Sequence, residues 1–310
     1  MTESQLQERE FPSHGAAPRV MRVKGREFRW GGRTYIMGVL NVTPDSFSGD
    51  GLGGDLEAAV SQARRLVDEG ADIIDIGGES TRPDASRLST EEELKRVIPV
   101  VERLVGFRVP LSVDTYKEEV ARRALEAGAD IINDVWGLKM DPDLAKLAAD
   151  KKAPLVITSN QRDRGDDRVQ DIVKSVLADL KRSTGVALEA GVASENIIID
   201  PGFGFGKTLE QNLELLRRLD ELNSLGYPIL VGTSRKSMIG LVLGLPPDQR
   251  LEGTAATVAI GIARGADMVR VHDVLYMARV CKMSDAIIRR KAGPAPSAGS
   301  GQALSAEKGG

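Results

Sequence analysis

The chain has 310 residues, of which 41% are hydrophobic and 28% are charged, so it can bury a full core and is neither disordered nor fibrous by composition. A net charge of −3 excludes a general attraction for nucleic acid or anionic membranes, and no apolar run approaches the roughly 18–20 residues of a membrane span. The single Cys281 cannot form an internal disulfide, and the N-terminus lacks the apolar stretch of a signal peptide. We therefore expect a cytoplasmic protein.

The first and last segments of the chain differ in composition from the rest. Residues 1–18 carry no hydrophobic periodicity, and residues 293–310 (GPAPSAGSGQALSAEKGG) are small and polar. Such segments cannot bury enough apolar surface to offset their ordering entropy, which predicts flexible tails at both ends. Residues 19–292 are predicted to form one domain. Its first stretch, 19–33, alternates apolar and polar residues and contains a Gly-Gly pair, which predicts a short β-hairpin with its turn at that pair.

Eight short apolar runs follow the hairpin, and three of them are preceded by the same tripeptide, Gly-Ala-Asp, at 70–72, 128–130 and 265–267. Each glycine ends a helical pattern, where it can adopt the left-handed conformation at little cost. Each apolar run after it is typical of a strand buried on both faces. The eight predicted strands are 34–40, 73–77, 110–114, 131–134, 154–158, 196–200, 228–233 and 268–272.

Helical patterns lie between most of these strands, and alternating βα units imply a parallel sheet. Eight units in roughly 250 residues favour an α/β protein with a closed (β/α)8 barrel, the TIM barrel, over an open doubly wound sheet. Active sites of this fold lie at the C-terminal ends of the strands. Seven of the eight predicted strands end in polar residues, which predicts a site there. A single such residue is more often a helix cap.

Seven motifs stand at these strand ends: NVTPDSF (41–47), ESTRP (79–83), SVDT (112–115), IND (132–134), DPGFGFGK (200–207), SRKS (234–237) and RVHDV (270–274). In this order they resemble the signature loops of the dihydropteroate synthase family, over residues 36–275. The resemblance implies a transferase of folate biosynthesis. It would condense 6-hydroxymethyl-7,8-dihydropterin pyrophosphate with p-aminobenzoate to give 7,8-dihydropteroate and pyrophosphate. It also implies a homodimer and a target of sulfonamides.

The resemblance places the pterin pocket at Asp114, Asn133, Asp200 and Lys236. These residue types agree with the ligand, because a pterin edge presents N–H donors to carboxylates and presents oxygen and nitrogen acceptors to amide and ammonium groups. For Asp200 and Lys236 the alternative is a structural ion pair in the barrel mouth, which is compatible with substrate binding.

Arg270 and His272 lie two residues apart on the last predicted strand, so their side chains share one side of it. A guanidinium offers a planar fork to phosphate oxygens, and this end of the barrel is the usual phosphate site of the fold. We predict that both residues bind the leaving pyrophosphate, with an ordinary strand-end role as the alternative for His272. By resemblance, Asn41 binds Mg²⁺, the expected cofactor, which takes few protein ligands beside phosphate. The predicted catalytic residues are Asp114, Lys236, Arg270 and His272.

The resemblance implies that p-aminobenzoate binds at Phe47, Thr81, Arg82, Pro83 and Phe205, and we predict that Ser237 is the nearby hydroxyl or amide donor. Loop packing is the alternative role for the two phenylalanines. The chain departs from the family at two positions, where Thr158 replaces the usual methionine and Asp84 the usual glycine. Two other functions stay open: a corrinoid-linked methyltetrahydrofolate methyltransferase, which shares the pterin-binding barrel, and a non-catalytic pterin-binding paralogue.

Overall fold

The computed structural model describes residues 20–42, 52–80, 87–163 and 170–289, with the side chains of 52–55 left aside. The two predicted tails lie outside the described residues. Within the described ranges, no helix is both long and apolar enough to cross a membrane.

Strands and helices alternate along the described part of the chain. The strands are β1 (Val20–Val23), β2 (Arg26–Arg29), β3 (Tyr35–Asn41), β4 (Ile73–Gly77), β5 (Leu111–Asp114), β6 (Ile131–Asp134), β7 (Leu155–Thr158), β8 (Ile197–Asp200), β9 (Leu230–Val231) and β10 (Met268–Val271). The α-helices are α1 (Leu52–Asp68), α2 (Thr90–Leu104), α3 (Glu118–Ala127), α4 (Asp143–Lys151), α5 (Ile172–Glu189), α6 (Leu209–Arg217), α7 (Ser237–Leu243), α8 (Leu251–Ala263) and α9 (Val274–Ile288).

The strands β3 to β10 form one parallel sheet in the order β8-β7-β6-β5-β4-β3-β10-β9. A parallel bridge between Ile199 of β8 and Ile229, just before β9, joins the two edges and closes the sheet into a barrel. The N–H of Ile199 donates to the carbonyl of Pro228 at 3.0 Å across this seam. The predicted (β/α)8 fold is confirmed, although the strand predicted at 228–233 is reduced to two residues, Leu230 and Val231.

The N-terminal hairpin is also confirmed, but the prediction of its turn is wrong. The strands β1 and β2 pair antiparallel with Val23 opposite Arg26, which leaves only Lys24 and Gly25 in the turn. Both turn residues have positive φ, 48° and 70°, as two-residue hairpin turns require. The Gly-Gly pair lies beyond the end of β2, so it does not connect the two strands.

The hairpin closes the N-terminal end of the barrel with apolar side chains. Met21 and Phe28 are buried and pack against the inward residues of the barrel strands. The rings of Phe28 and Tyr35 have centroids 4.8 Å apart. The strand residues in this cluster are Tyr35, Met37, Ile73, Ile131, Val156, Ile198, Leu230 and Met268. Because this end is filled, the polar inward residues are left at the opposite, C-terminal mouth.

The three Gly-Ala-Asp tripeptides have the same role in the barrel. Their glycines have positive φ values of 110°, 110° and 100°, as expected for residues that end helices. Each aspartate accepts a hydrogen bond from a backbone N–H near the start of the preceding strand: Asp72 from Ile36 (3.0 Å), Asp130 from Leu111 (2.9 Å) and Asp267 from Ile229 (3.3 Å). The repeat therefore ties neighbouring strands together at the base of the barrel.

We expect Phe28→Ala to lower the free energy of unfolding by about 3–5 kcal/mol, because it removes a buried aromatic ring and leaves a cavity in the hairpin cluster. Urea denaturation followed by circular dichroism measures the change. The matched control is Arg22→Ala on the same hairpin, whose side chain is 72% exposed. It should change stability by less than about 0.5 kcal/mol. Equal effects of the two variants would contradict the role given to the hairpin cluster.

Candidate active site

The guanidinium of Arg270 lies inside the barrel between two carboxylates. Its Nε is 2.6 Å from Oδ2 of Asp75, and its Nη2 is 2.6 Å from Oδ2 of Asp114. Burial alone would lower the pKa of Arg270, but the charges of Asp75 and Asp114 raise it above its ordinary value. The site is therefore built around a permanent positive charge held by β4, β5 and β10.

Asn133 and Asp114 extend this cluster toward the mouth. The amide nitrogen of Asn133 donates to Oδ2 of Asp75 at 3.0 Å. Burial raises the pKa of Asp114 to about 7, and Asp75 adds to the effect while Arg270 opposes it. Asp114 can therefore change its charge near neutral pH, which is the range in which a carboxyl group can respond to a charged substrate.

Asp200 is the last residue of β8, and Lys236 is the N-cap residue of α7, which follows β9. Oδ1 of Asp200 accepts a hydrogen bond from the N–H of Gly202 at 2.7 Å, and Lys236 donates to the carbonyl of Phe203. Burial lowers the pKa of Lys236 to about 8 and raises the pKa of Asp200, while each charge opposes the shift of the other. No direct ion pair joins Asp200 to Lys236 among the ion pairs of the described residues, so the structural pair that the sequence left open is not formed.

The loop after β8 approaches the neighbouring loop so closely that side chains would not fit. A Cβ at Gly202, where φ is 72°, would lie 2.1 Å from the carbonyl oxygen of Ser159. The ammonium of Lys207 donates to the carbonyls of Ser159, Gly202 and Phe205 at 2.9, 2.8 and 3.3 Å. Burial lowers the pKa of Lys207 to about 7. Lys207 thus holds the loop that carries Phe205.

His272 lies beside the loop after β9 and is neutral near pH 7. Its Nδ1 is 3.0 Å from the hydroxyl oxygen of Ser234. Burial, followed by the charges of Arg270 and Arg235, lowers the pKa of His272 to about 3. Arg235 is held by Asp273, with contacts of 2.9 and 2.5 Å. A nearby anion would favour the charged form of this imidazole.

Two glycines keep space open between the polar side chains. A Cβ at Gly77 would lie 3.7 Å from both Oδ1 of Asn41 and Oδ2 of Asp114. A Cβ at Gly232 would lie 3.9 Å from Oδ2 of Asp200. A methyl group at either position would be in ordinary van der Waals contact with these oxygens and with neighbouring carbon atoms. Within the described residues there is no group of three or more His, Cys, Asp or Glu side chains able to hold a metal.

Of the residues predicted to bind p-aminobenzoate, two are described. Phe205 is buried, and the Nζ of Lys236 lies 4.2 Å from its ring centroid. The Cζ of Arg162 lies 4.8 Å from the same centroid. Ser237 is exposed at the first position of α7. The other four predicted residues, Phe47, Thr81, Arg82 and Pro83, lie outside the described residues, as does Asp84.

Sequence reasoning assigned no individual role to Asp75, Lys207 or Ser234. The sequence does indicate that Asp75 is unusual, because an aspartate stands in the middle of the apolar strand Ile73–Gly77. It lies in the interior of its strand, whereas the predicted site residues stand at strand ends. The roles of Lys207 and Ser234 depend on contacts with other loops, which no local pattern shows.

A cavity of about 650 Å³ lies at the other end of the barrel, between the start of β3 and α9. Two of its polar side chains already have partners, since Arg33 pairs with Asp72 and Thr34 donates to Asp285. Cys281 also borders it, and burial raises the pKa of this thiol to about 12. The reactive arrangement is therefore the one at the mouth.

Comparison with known proteins adds four findings. Residues 37–272 match a family described as "Pterin binding enzyme". The chain is 52% identical over 272 residues to a dihydropteroate synthase of Clostridium beijerinckii, covering 87% of this chain and 100% of that protein. A dihydropteroate synthase structure from Clostridium difficile, in the presence of pteroic acid, has a TM-score of 0.82 and 52% identity over 84% of this chain and 99% of that one. A Xanthomonas albilineans dihydropteroate synthase with 4-aminobenzoic acid has a TM-score of 0.82 and 43% identity, covering 87% and 98%.

We expect the ring protons of His272 to show no titration between pH 8 and pH 5 in NMR spectra, because its pKa of about 3 lies below that range. The chain has only two histidines, so His272→Gln assigns the signal. The unfolded chain takes up this proton near its ordinary pKa of about 6.5. The free energy of unfolding should therefore fall as the pH drops from about 6.5 toward 3. A His272 signal that titrates near pH 6.5 would contradict the buried, neutral imidazole.

Proposed function

The chain belongs to the family of pterin-binding enzymes, and we propose that it acts as a dihydropteroate synthase in folate biosynthesis. It joins 6-hydroxymethyl-7,8-dihydropterin pyrophosphate to p-aminobenzoate, and it is in this sense a transferase. The observation that carries the proposal is the arrangement of carboxylate, amide and ammonium groups around Arg270 at the barrel mouth. The relatives described above are named for this activity, so corrinoid-linked methyl transfer has no comparable support. A cytoplasmic location stays a prediction from the sequence.

The pterin ring is proposed to bind at the mouth through four side chains. Asp200 would accept hydrogen bonds from the ring's N–H donors, because a carboxylate has two acceptor oxygens. Lys236 and Asn133 would donate to the ring's acceptors. Asp114, whose pKa is about 7, would lie near the ring as a carboxylate or as a carboxylic acid, according to the charge of the ligand. Their burial gives these contacts the low dielectric in which they are strong.

The reaction is a substitution at the exocyclic methylene of the pterin. The bond from this carbon to the pyrophosphate oxygen breaks, and a bond to the amine nitrogen of p-aminobenzoate forms, with loss of one proton from nitrogen. Positive charge develops on the pterin as pyrophosphate departs, and ionised Asp114 would stabilise it. An aromatic amine is weakly basic, so the reaction does not require a strong general base.

Arg270 and His272 are proposed to bind the leaving pyrophosphate. Arg270 is charged at all relevant pH values, whereas His272 is neutral in the ligand-free site because of its lowered pKa. A nearby anion favours the imidazolium form and would raise that pKa. Ser234, which contacts Nδ1, would orient the ring. His272 could therefore become protonated as negative charge develops on the leaving pyrophosphate.

Magnesium is proposed as the cofactor, and the oxygens of Asn41 and Asp114 near Gly77 suit it. Mg²⁺ prefers oxygen ligands and usually keeps several waters beside one or two protein groups. The Oδ1 of Asn41 and the Oδ2 of Asp114 border the space that a Cβ at Gly77 would fill. When bound, the ion would neutralise charge on the pyrophosphate oxygens. Asn41 is the residue that would hold it.

The p-aminobenzoate ring is proposed to pack against Phe205 beside Ser237. Lys236 and Arg162 both lie near the Phe205 ring, so the carboxylate of the substrate would meet a positive environment. An aromatic ring beside two cationic side chains suits an anionic aromatic acid, which has an apolar face and a charged end. Phe47, Thr81, Arg82 and Pro83 remain predicted contributors by resemblance.

A homodimer is proposed to form through neighbouring helices α8 and α9. Their outer surface exposes large apolar side chains: Ile260 is 47% exposed, Tyr276 50%, Met283 63% and Ile287 66%. Contiguous apolar patches on soluble proteins typically mark association sites. A second copy of the chain could cover this surface by a twofold arrangement, which is the commonest symmetry of soluble oligomers.

We expect the purified protein to release one pyrophosphate for each dihydropteroate formed, only when both substrates are present, and to lose activity when a chelator removes Mg²⁺. Asp200→Asn should weaken pterin binding by about 2–3 kcal/mol, because an amide donor would face the ring's donors. Asp248→Asn, in an exposed turn, is the matched control and should behave as the unaltered protein. Pterin binding without any pyrophosphate release would instead support a non-catalytic paralogue.

The double variant Met283→Glu, Ile287→Glu should sediment as a monomer at concentrations at which the unaltered protein is a dimer. Two buried, unpaired charges should weaken association at least roughly 100-fold. Leu188→Glu on α5 is the control, because Leu188 is 44% exposed but lies on a different helix. A dimer that survives the double substitution would show that another surface forms the interface.

A further inference from the structure

Three buried polar atoms in the barrel have no hydrogen-bond partner among the described residues. They are Oδ1 of Asp75, Oγ of Ser112 and Oγ1 of Thr158. Each side chain is at most 1% exposed. Buried polar groups in native proteins are nearly always satisfied, so each of these atoms needs an explanation.

All three occupy inward positions of the barrel. In β7, Leu155 and Ile157 belong to the outer core beneath the helices, while Val156 belongs to the inner cluster with the hairpin. Side chains alternate along a strand, so Thr158 faces inward like Val156. Asp75 and Ser112 are register partners on β4 and β5, and one water between neighbours could satisfy both. The register partner of Thr158 on β8 is Asp200, whose Oδ1 already accepts a hydrogen bond from the N–H of Gly202.

Thr158 lies within the group of residues proposed to hold the pterin. It is the register partner of Asp200 on β8, and Asn133 on β6 pairs with Val156, two residues before it. The backbone carbonyl of Thr158 already accepts a hydrogen bond from the N–H of Asn160 at 3.0 Å. The methyl carbon Cγ2 faces the loop after β8, where a Cβ at Gly202 would lie 3.1 Å from it. The hydroxyl is the group on this side chain left without a partner.

We propose that Thr158 is a substrate-recognition residue whose hydroxyl hydrogen-bonds the edge of the pterin that Asp200 holds. This inference rests on the proposed function. A hydroxyl can both donate and accept, so it suits either an amino group or a ring nitrogen at that edge. Asp200 offers acceptors alone when ionised, so Thr158 adds a donor beside it. The ligand would satisfy an atom that the ligand-free fold leaves unpaired.

Two substitutions separate this role from a structural one. Thr158→Val keeps the shape and removes the hydroxyl, whereas Thr158→Ser keeps the hydroxyl and removes the methyl group. Calorimetric titration with 6-hydroxymethyl-7,8-dihydropterin pyrophosphate should show about five- to tenfold weaker binding for the valine variant. The serine variant should stay within about twofold of the unaltered protein. The unfolding temperature of the ligand-free valine variant should be unchanged or higher, because removing an unpaired buried hydroxyl costs nothing in the empty fold.

Two results would overturn the proposal. One is pterin affinity of the valine variant equal to that of the unaltered protein. The other is a lower ligand-free unfolding temperature for that variant, which would show that the hydroxyl has a structural partner. If the valine variant does not fold, a crystal structure of the unaltered protein with this pterin decides. Oγ1 within hydrogen-bond distance of the heterocycle supports the proposal, and Oγ1 bonded to water alone rejects it. No pterin binding by the unaltered protein would reject the proposed function, and this inference with it.

Discussion

A guanidinium that cannot lose its proton lies inside the barrel, and the rest of the site follows from the need to compensate its charge. Arg270 on β10 requires carboxylates, and these come from Asp75 on β4 and Asp114 on β5. Asn133 on β6 then donates to Asp75. Removing one partner of such a cluster would leave a buried charge uncompensated, which is costly. The apolar hairpin cluster completes the design, because it closes the other end of the barrel and confines the polar groups to the mouth.

Burial also shifts the pKa values of several side chains in the site away from their ordinary values. Asp114 has a pKa of about 7, Lys236 about 8 and His272 about 3, and burial is the largest cause in all three. Each group disfavours its charged form in the ligand-free protein. A substrate that carries both a hydrogen-bonding heterocycle and a charged pyrophosphate would shift these equilibria together. The charges of these three side chains therefore depend on the ligand bound at the site.

The fold could be predicted from the sequence because its signals are local. Apolar runs mark strands, and the Gly-Ala-Asp repeat marks where helices end. The strand ends also indicated Asp114, Asn133, Asp200 and Arg270. What no local pattern shows is pairing across the barrel: Arg270 and Asp75 are 195 positions apart in the chain. The hairpin turn lies at Lys24 and Gly25 rather than at the Gly-Gly pair, because it is set by the register of the two strands.

The seam between β8 and β9 gives the barrel an uneven resistance to opening. The strand β9 has two residues, and one bridge from Ile199 to Ile229 joins it to β8. Local fluctuations open a structure where the fewest contacts must break, so backbone amides here should exchange with solvent before those of the longer strands. Asp200 ends one side of this seam, and Lys236 follows the other. A molecule bound by both Asp200 and Lys236 would link the two sides of the seam. The barrel would then resist opening more strongly when this molecule is bound than when it is absent.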